Sequence, residues 1–189
     1  MTDKVAVVGA GLVGRAWAIS FARGGHRVMI FDINDKAVAS ALSTVDGMLR
    51  TLELRGMLKG QTAADVHSRM TGAGSLEIAL AGAAHVQENV PEDLGVKREM
   101  FAKLDAASEK NAVLASSSSG ILPSRISAEL AGKSRCLVAH PINPPYLIPA
   151  VELVPAPWTD PQVVERTESR RAPRLNLFQK LPLTRGRGD

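Results

Sequence analysis

The sequence has only one cysteine and no long apolar run. Cys136 is the only cysteine among the 189 residues, so an internal disulfide is excluded, and this fits a protein of the reducing cytoplasm. The thiol lies in an apolar run, residues 136–139, which predicts a buried strand and a small core side chain rather than a nucleophile. No apolar run approaches the roughly 18–20 residues that a membrane span needs. The short apolar stretch near the first residue runs straight into glycines, so we expect no signal peptide and no membrane partner.

The basic character of the chain comes from residues 165–189. The net charge is +4. Residues 165–189 contain seven basic and three acidic residues, whereas residues 1–164 contain 16 of each sign. A basic segment of this kind could hold acidic polymers without specificity. A solvated, disordered end is the simpler interpretation, so we expect no specific nucleic-acid partner.

A glycine motif follows the first apolar run, residues 4–8, which predicts a buried strand. The motif is G-x-G-x-x-G, in which the first glycine makes a tight turn and the second lets the backbone approach a pyrophosphate. The third lets strand and helix pack closely, and the helix that follows offers free N–H groups and a positive dipole to phosphates. A purely structural glycine turn is the alternative, but the strand before the motif and the helical spacing after it favour a dinucleotide site. Its predicted contacts are Gly9, Gly11, Leu12, Val13 and Gly14.

An acidic residue at the end of the second predicted strand selects the dinucleotide. Residues 27–31 predict that strand, and Asp32 follows it, 18 positions after Gly14. The carboxylate can accept hydrogen bonds from both hydroxyls of the adenosine ribose. Its charge would repel a 2′-phosphate there, so we predict NAD rather than NADP as the cofactor.

Strand-like and helix-like segments alternate, which predicts an α/β fold with a Rossmann-like, doubly wound, mostly parallel sheet. Predicted strands cover residues 4–8, 27–31, 69–71, 84–88, 112–115, 135–139 and 151–154. Besides the helix after the glycines, predicted helices cover residues 35–55, 76–80, 92–107 and 123–130. The longest of them shows one apolar stripe, formed by Val38, Leu42, Val45, Leu49 and Leu52.

Polar residues follow several of these strands at the edge where ligands bind in such sheets. They are Glu88, Glu92, the serines at 116–119, His140, Asn143 and Glu152. An imidazole titrates near neutral pH, so His140 suits the removal of the proton that an alcohol loses as it gives up a hydride. Glu152 can hydrogen-bond the other ring nitrogen, and one of the serines can hold the substrate oxygen. From spacing alone, a polar loop histidine and an accommodating serine turn stay open as alternatives.

Five separated motifs carry a resemblance to a known family. They are the glycine motif, residues 89–92 (Asn-Val-Pro-Glu), residues 115–119 (Ala-Ser-Ser-Ser-Ser), residues 140–144 (His-Pro-Ile-Asn-Pro) and residues 151–152 (Val-Glu). Together they resemble the L-3-hydroxyacyl-CoA dehydrogenase family, over about residues 3–164 and without large gaps. Residues 141–155 are most similar to its lambda-crystallin and L-gulonate 3-dehydrogenase branch, and carnitine dehydrogenases are similar there too.

The resemblance implies an NAD-dependent dehydrogenase that oxidises the 3-hydroxyl of a 3-hydroxy acid or a 3-hydroxyacyl-CoA. It implies His140 as the general base, Glu152 as the carboxylate that orients this base, and Ser119 as a ligand of the substrate hydroxyl. Asn143 matches a family asparagine that lies near the nicotinamide and the substrate.

The resemblance also implies further cofactor contacts. Glu92 and Lys97 match positions that line the nicotinamide-ribose end of the cofactor site, and Ser117 stands where many members have asparagine. Acyl-CoA enzymes of the family usually have aromatic residues after the histidine, whereas Pro141 and Ile142 follow it here. This difference favours a smaller hydroxy acid. No metal site is predicted.

Two segments are predicted, an NAD-binding domain over residues 1–164 and a basic tail over residues 165–189. Family members continue into a helical domain that dimerises and closes the substrate cleft. The tail has no sustained helical stripe, and its bias toward arginine, proline and glycine is typical of an out-of-frame reading. We therefore expect a frameshifted or truncated member without the helical domain, weakly active or inactive. A non-catalytic NAD-binding or structural, crystallin-like protein is the alternative, and nucleic-acid binding by the tail is a third.

Overall fold

The structure is a computed structural model that describes residues 3–148 and 150–169. Seven strands form one sheet: β1 (Lys4–Val8), β2 (Arg27–Phe31), β3 (Met70–Gly72), β4 (His85–Glu88), β5 (Val113–Ser116), β6 (Cys136–Pro141) and β7 (Val151–Pro155). The helices are α1 (Leu12–Arg23), α2 (Asp35–Leu54), α3 (Ala63–His67), α4 (Leu76–Leu80), α5 (Leu94–Ala107), α6 (Pro123–Ser127) and α7 (Pro161–Ser169). A short 3₁₀ helix, Lys133–Arg135, precedes β6.

The strand order is β3-β2-β1-β4-β5-β6-β7, and every neighbouring pair is parallel except β6 and β7. The chain lays down β1, β2 and β3 in one direction and then crosses to β4 on the other side of β1. The order therefore reverses between β1 and β4, where ligands bind beyond the carboxyl ends of the strands. The predicted doubly wound α/β fold is confirmed.

The central strand β1 is buried on both faces. Alternate side chains of a strand point to opposite faces. Val5 and Val7 belong to a core cluster that α1 and α2 cover, whereas Ala6 and Val8 belong to a second cluster with residues of α4 and α5. Because both faces are covered, the strand is apolar without alternation, which is typical of a parallel sheet between helices.

The predicted apolar stripe of α2 is confirmed. Val38, Val45, Leu49 and Leu52 are buried against the sheet and Leu42 is partly buried. The helix begins after Asn34, whose side-chain oxygen accepts a hydrogen bond from the Lys36 backbone N–H at 3.1 Å. This bond satisfies one of the N–H groups that lack a partner at a helix start.

Three element boundaries differ from those predicted by two or three residues, and several others differ by one. Helix α5 begins at Leu94 rather than at residue 92, because the Asp93 carboxylate accepts a hydrogen bond from the Val96 N–H at 2.9 Å and caps the helix. Helix α6 ends at Ser127 rather than at residue 130. Strand β6 continues to Pro141, so His140 lies in the strand and not in the loop after it.

Two α-helices and the short 3₁₀ helix were not predicted from the sequence. Helix α3 is one short turn, which Thr62 and Asp65 stabilise through a reciprocal capping box. Helix α7 crosses the predicted boundary at residue 164 and continues to Ser169. Residues 170–189 of the predicted tail lie outside the described residues, so the division into domain and tail stays a prediction.

Candidate active site

The glycine motif forms a turn that packs directly on the neighbouring strand. Gly9 has a φ of +97°, and a Cβ atom built on it would lie 2.8 Å from the Asn89 backbone oxygen. A Cβ atom on Gly14 would lie only 1.8 Å from the Gly9 backbone oxygen. Both positions therefore require glycine, one for its conformation and both for the close approach.

Gly11 differs from the other two glycines, since a Cβ atom on it would meet no protein atom within 4 Å. It is the residue that precedes α1, and no side chain caps the helix there. The first hydrogen bond of the helix runs from the Arg15 N–H to the Gly11 oxygen at 3.0 Å. The N–H groups of Leu12 and Val13 precede that bond, and α1 has no acidic residue in its first turn. An open, uncapped helix start of this kind fits the pyrophosphate of a dinucleotide.

Asp32 lies at the carboxyl end of β2 and fixes the turn from the other side. Its Oδ2 accepts a hydrogen bond from the Ala10 N–H at 2.8 Å, and its Oδ1 accepts one from the Asn34 N–H at 3.0 Å. Asp32, Gly9 and Gly11 border one cavity of about 570 Å³. The volume, the bare glycine backbone and the carboxylate together fit the adenosine and pyrophosphate of NAD.

A second cavity, of about 280 Å³, lies at the edge formed by β6 and β7. Ser119, His140 and Glu152 all line it. His140 and Glu152 are directly paired residues of the two antiparallel strands, and Nδ1 of His140 lies 3.6 Å from Oε2 of Glu152. This distance is longer than a hydrogen bond, and such contacts often tighten only when a substrate binds. The structure thus brings together three of the four residues predicted to be catalytic, whereas the fourth, Asn143, lies elsewhere.

Asn143 does not line the cavity of His140. It lies in the loop after β6, where it borders a different cavity of about 350 Å³ together with Leu12 and Val13. Arg23 of α1 holds this loop by donating to the Tyr146 carbonyl oxygen. The structure therefore places Asn143 beside the start of α1, on the cofactor side of the site.

Ser117 is engaged in a hydrogen-bond network under the glycine turn. Its Oγ accepts hydrogen bonds from Trp17 Nε1 at 3.0 Å and Gln87 Nε2 at 2.8 Å, and it donates to Asn89 Oδ1 at 2.7 Å. A hydroxyl has one proton and two lone pairs, so these partners use all of its capacity. This position favours a supporting role over the direct cofactor contact predicted for Ser117.

Lys97 and Glu92 lie near the carboxyl ends of β4 and β5. Lys97 is 1 % exposed, and its ammonium group lies 2.9 Å from Oε1 of Glu88 and 3.4 Å from Oε2 of Glu92. The other oxygen of Glu92 accepts hydrogen bonds from the serine segment that carries Ser119. The burial of Lys97 favours a supporting role for it, too, over direct contact with the cofactor.

Comparison with known proteins identifies the family of this chain. Residues 4–172 match the family described as 3-hydroxyacyl-CoA dehydrogenase, NAD binding domain. The chain belongs to this family. It is 51% identical over 164 residues to the lambda-crystallin homolog of Bos taurus, covering 86% of this chain and 51% of that protein. It is 38% identical over 162 residues to L-carnitine dehydrogenase of Streptomyces griseus, covering 86% of this chain and 47% of that protein.

Solved structures agree with this assignment. The 3-hydroxybutyryl-CoA dehydrogenase of Escherichia coli K12 superposes with a TM-score of 0.88 at 29% identity, over 96% of this chain and 38% of that chain. The chain spans about half the length of the curated relatives that it matches. Membership in the 3-hydroxyacyl-CoA dehydrogenase family, through its NAD-binding domain, confirms the predicted family and NAD as the cofactor. The roles of individual site residues stay predictions.

Sequence reasoning missed several residues that support the site of this family member. The buried partners of Ser117, namely Trp17 and Gln87, carried no signal because Trp17 sits at an ordinary core position of α1. Arg23, the last residue of α1, was missed because its partners, the carbonyl oxygens of Tyr146 and Met57, lie far away in the sequence. Glu88 was noted at the end of its strand, but its pairing with Lys97 was not.

Neither a metal site nor a membrane span is found in the part of the chain that the structure describes. Within residues 3–148 and 150–169, no three His, Cys, Asp or Glu side chains come together in a way that could hold a metal ion. None of the helices in these ranges combines the length and the apolar composition that crossing a bilayer requires.

Proposed function

We propose that this chain binds NAD and oxidises the 3-hydroxyl group of a small 3-hydroxy acid, with a 3-hydroxyacyl-CoA as the larger member of the same substrate class. The observation that carries the proposal is the placement of Ser119, His140 and Glu152 around one cavity. This cavity lies at the same carboxyl edge of the sheet as the glycine turn and Asp32. Such a set can position a hydroxyl group and remove its proton.

The cofactor would be held at the glycine turn. The N–H groups at the start of α1 would bind the pyrophosphate, and Asp32 would accept hydrogen bonds from the adenosine ribose. When bound, NAD supplies the acceptor for the hydride that leaves the carbon bearing the hydroxyl. The protein must place the substrate and accept the remaining proton.

His140 would accept that proton at Nε2, because Nδ1 is the ring nitrogen that faces Glu152. A carboxylate beside Nδ1 fixes the ring orientation and stabilises the imidazolium that forms. The Ser119 hydroxyl would hold the substrate oxygen within reach of the base. After the reaction, the proton on Nε2 would pass to solvent, to which His140 is 32 % exposed.

The volume of the cavity and the two residues that follow His140 in the sequence support a small substrate. About 280 Å³ is enough for a short hydroxy acid, and it lies just below the range of about 300–1,000 Å³ for cavities that hold drug-sized ligands. Pro141 and Ile142 stand after the histidine in place of the aromatic residues of the acyl-CoA enzymes. A 3-hydroxy acid without a CoA group is therefore the favoured substrate.

Turnover by the 189-residue chain is expected to be low. Glu152 is 46 % exposed, and Ser119 is exposed as well. Hydride transfer is efficient only where water is excluded and the polar groups are fixed. A non-catalytic NAD-binding protein, in line with the crystallin name of several relatives, is the second candidate, and this exposure favours it.

Calorimetry with NAD and measurement of NADH formation from a panel of 3-hydroxy acids test the proposal. We expect NAD binding, and slow NADH formation that His140→Gln abolishes. His67→Gln, a matched change in α3 far from the site, is expected to leave both unchanged. Absence of NADH with every substrate would support the non-catalytic candidate, and absence of NAD binding would overturn both. Turnover that survives His140→Gln would overturn the assigned base.

A further inference from the structure

Glu92 binds the backbone of the segment that carries Ser119. We call residues 118–120 the serine loop. Oε1 of Glu92 accepts three hydrogen bonds from it: from Ser118 Oγ at 2.6 Å, from the Ser119 N–H at 3.0 Å and from the Gly120 N–H at 3.0 Å. Three donors converge on one carboxylate oxygen, so the loop is fixed by both a side chain and its backbone.

A buried ion pair fixes Glu92 in turn. Lys97 Nζ lies 3.4 Å from Oε2 of Glu92 and donates to both carboxylate oxygens of Glu88, at 2.9 Å and 3.1 Å. Glu88 is also buried and accepts a hydrogen bond from Ser116 Oγ at 2.6 Å. Ser116 ends β5, two residues before the first residue of the serine loop, and its Oγ also accepts a hydrogen bond from the Ser118 N–H at 3.2 Å. The loop is therefore connected to the same charged cluster from two directions.

The charges in this cluster are consistent with such a connection. Burial acts to raise the pKa of the Glu92 carboxyl, but hydrogen bonds from Ser118, Gly120 and Ser119 and the charge of Lys97 outweigh it and hold the pKa below its usual value. Burial raises the pKa of the Glu88 carboxyl, and Lys97 and Ser116 oppose this shift. Of the two carboxyl groups, Glu92 therefore keeps its charge more readily than Glu88.

We propose that Glu92 is a positioning residue that fixes the serine loop and thereby places the Ser119 hydroxyl in the cavity of His140, with the Glu88–Lys97 pair holding Glu92 in place. The role of Ser119 rests on the proposed function, whereas the hold of Glu92 on the loop does not. A direct cofactor contact, the role that the resemblance implies for Glu92, is the competing account. Oε1 of Glu92 accepts three hydrogen bonds from the serine loop, and Oε2 faces Lys97. These contacts favour the positioning role over a direct cofactor contact.

Hydrogen exchange at the Ser119 and Gly120 amides, read by NMR on the full chain, tests the proposal. Three variants separate the effect of side-chain length at position 92 from the effect of its charge. Glu92→Ala removes both, Glu92→Gln keeps the length and an acceptor oxygen, and Glu92→Asp keeps the charge but is one methylene shorter. Glu129→Ala, which removes an exposed carboxylate after α6, is the matched control. Calorimetry with NAD on each variant supplies a second readout.

We expect Glu92→Ala and Glu92→Asp to speed exchange at these two amides roughly ten- to a hundredfold, with the amides of β4 and β5 unchanged. Glu92→Gln is expected to restore part of the protection, because it keeps the acceptor oxygen but loses the ion pair with Lys97. Glu129→Ala is expected to change nothing. NAD affinity should stay within about twofold in Glu92→Gln. Circular dichroism shows whether Glu92→Ala is folded. If it is not, the amide exchange rates of Glu92→Gln and Glu92→Asp are compared to test the proposal.

Three results would overturn the proposal. One is unchanged exchange in the Ala and Asp variants. Another is protection of the two amides in Glu92→Asp but not in Glu92→Gln, which would show that the charge of the side chain matters and its length does not. The third is protected amides in Glu92→Gln with a loss of NAD affinity of roughly tenfold or more, the outcome of a direct cofactor contact. A wild-type chain without turnover would refute the proposed function and leave these outcomes as decisive as before.

Discussion

His140 and Glu152 lie directly opposite each other on β6 and β7, with Nδ1 and Oε2 3.6 Å apart. This relationship depends on the antiparallel pairing of β7 with β6, since the other neighbouring strands of the described sheet are parallel. Paired residues of antiparallel strands lie side by side with their side chains on the same face of the sheet. The reversal of β7 therefore turns two residues 12 positions apart into a base and its adjacent carboxylate.

Glu152→Gln should separate catalysis from cofactor binding. The amide keeps the shape of the side chain but removes the charge that stabilises the imidazolium, so the turnover number is expected to fall roughly a hundredfold. NAD affinity by calorimetry should stay within about twofold. Glu165→Gln, at an exposed position in α7, serves as the control. An equal loss of NAD affinity and turnover would instead assign Glu152 to the cofactor site.

The second prediction compares two glycines of the same turn. Gly14→Ala places a Cβ atom 1.8 Å from the Gly9 oxygen, so the free energy of unfolding should fall by about 3 kcal/mol, the upper end of overpacking costs. Gly11→Ala meets no protein atom within 4 Å and should leave stability within about 0.5 kcal/mol. It should nevertheless weaken NAD binding, because its methyl group occupies the approach of the pyrophosphate.

Urea unfolding and NAD calorimetry on both glycine variants check this contrast. The stability loss should appear in the Gly14 variant and the pure affinity loss in the Gly11 variant. Unchanged NAD affinity in Gly11→Ala would show that the cofactor does not approach the turn at this glycine.

The local features of the fold could be predicted from the sequence, whereas the connections between distant residues could not. The glycine turn, the acid after β2 and the stripe of α2 are each encoded within about 20 residues. The engagement of Ser117 depends on Trp17, which lies 100 positions earlier. The burial of Lys97 depends likewise on how α5 packs over β4 and β5. Such contacts follow from tertiary packing, which no local pattern reveals.

The third prediction concerns the only cysteine. Burial, with a smaller contribution from Asp105, raises the pKa of the Cys136 thiol to about 12. The thiolate is the reactive form, and the thiol is buried at the start of β6. The native chain should therefore not react with a thiol reagent such as dithionitrobenzoate near pH 8, and it should react fully in urea. Stoichiometric reaction of the native chain would show that β6 opens readily or that the thiol is accessible.

Asp32 underlies the fourth prediction, on cofactor choice. Its carboxylate should favour NAD over NADP by roughly tenfold or more, because a 2′-phosphate would meet a negative charge. Asp32→Asn should narrow this ratio, mainly by weakening NAD binding through the lost ribose contact. Asp35→Asn, at the first residue of α2, changes a nearby carboxylate outside the turn and should preserve the ratio. Titration of both cofactors by calorimetry measures it, and an unchanged ratio in Asp32→Asn would place the ribose elsewhere.

The last prediction follows from the low pKa of the Glu92 carboxyl. The unfolded chain has an ordinary glutamate, so it binds more protons than the folded chain between the two pKa values, and stability rises with pH there. Above the pKa of an unfolded glutamate, about 4.3, the Glu92 charge contributes its full stabilisation. This stabilisation is lost as the pH falls through the pKa of Glu92 in the folded chain. Glu92→Gln should thus be less stable than the wild type near pH 7, and the difference should shrink below about pH 4. Urea midpoints of both proteins, followed by tryptophan fluorescence across this range, measure the difference. A stability difference between the two proteins that stays constant down to low pH would mean that the Glu92 charge contributes nothing to folding.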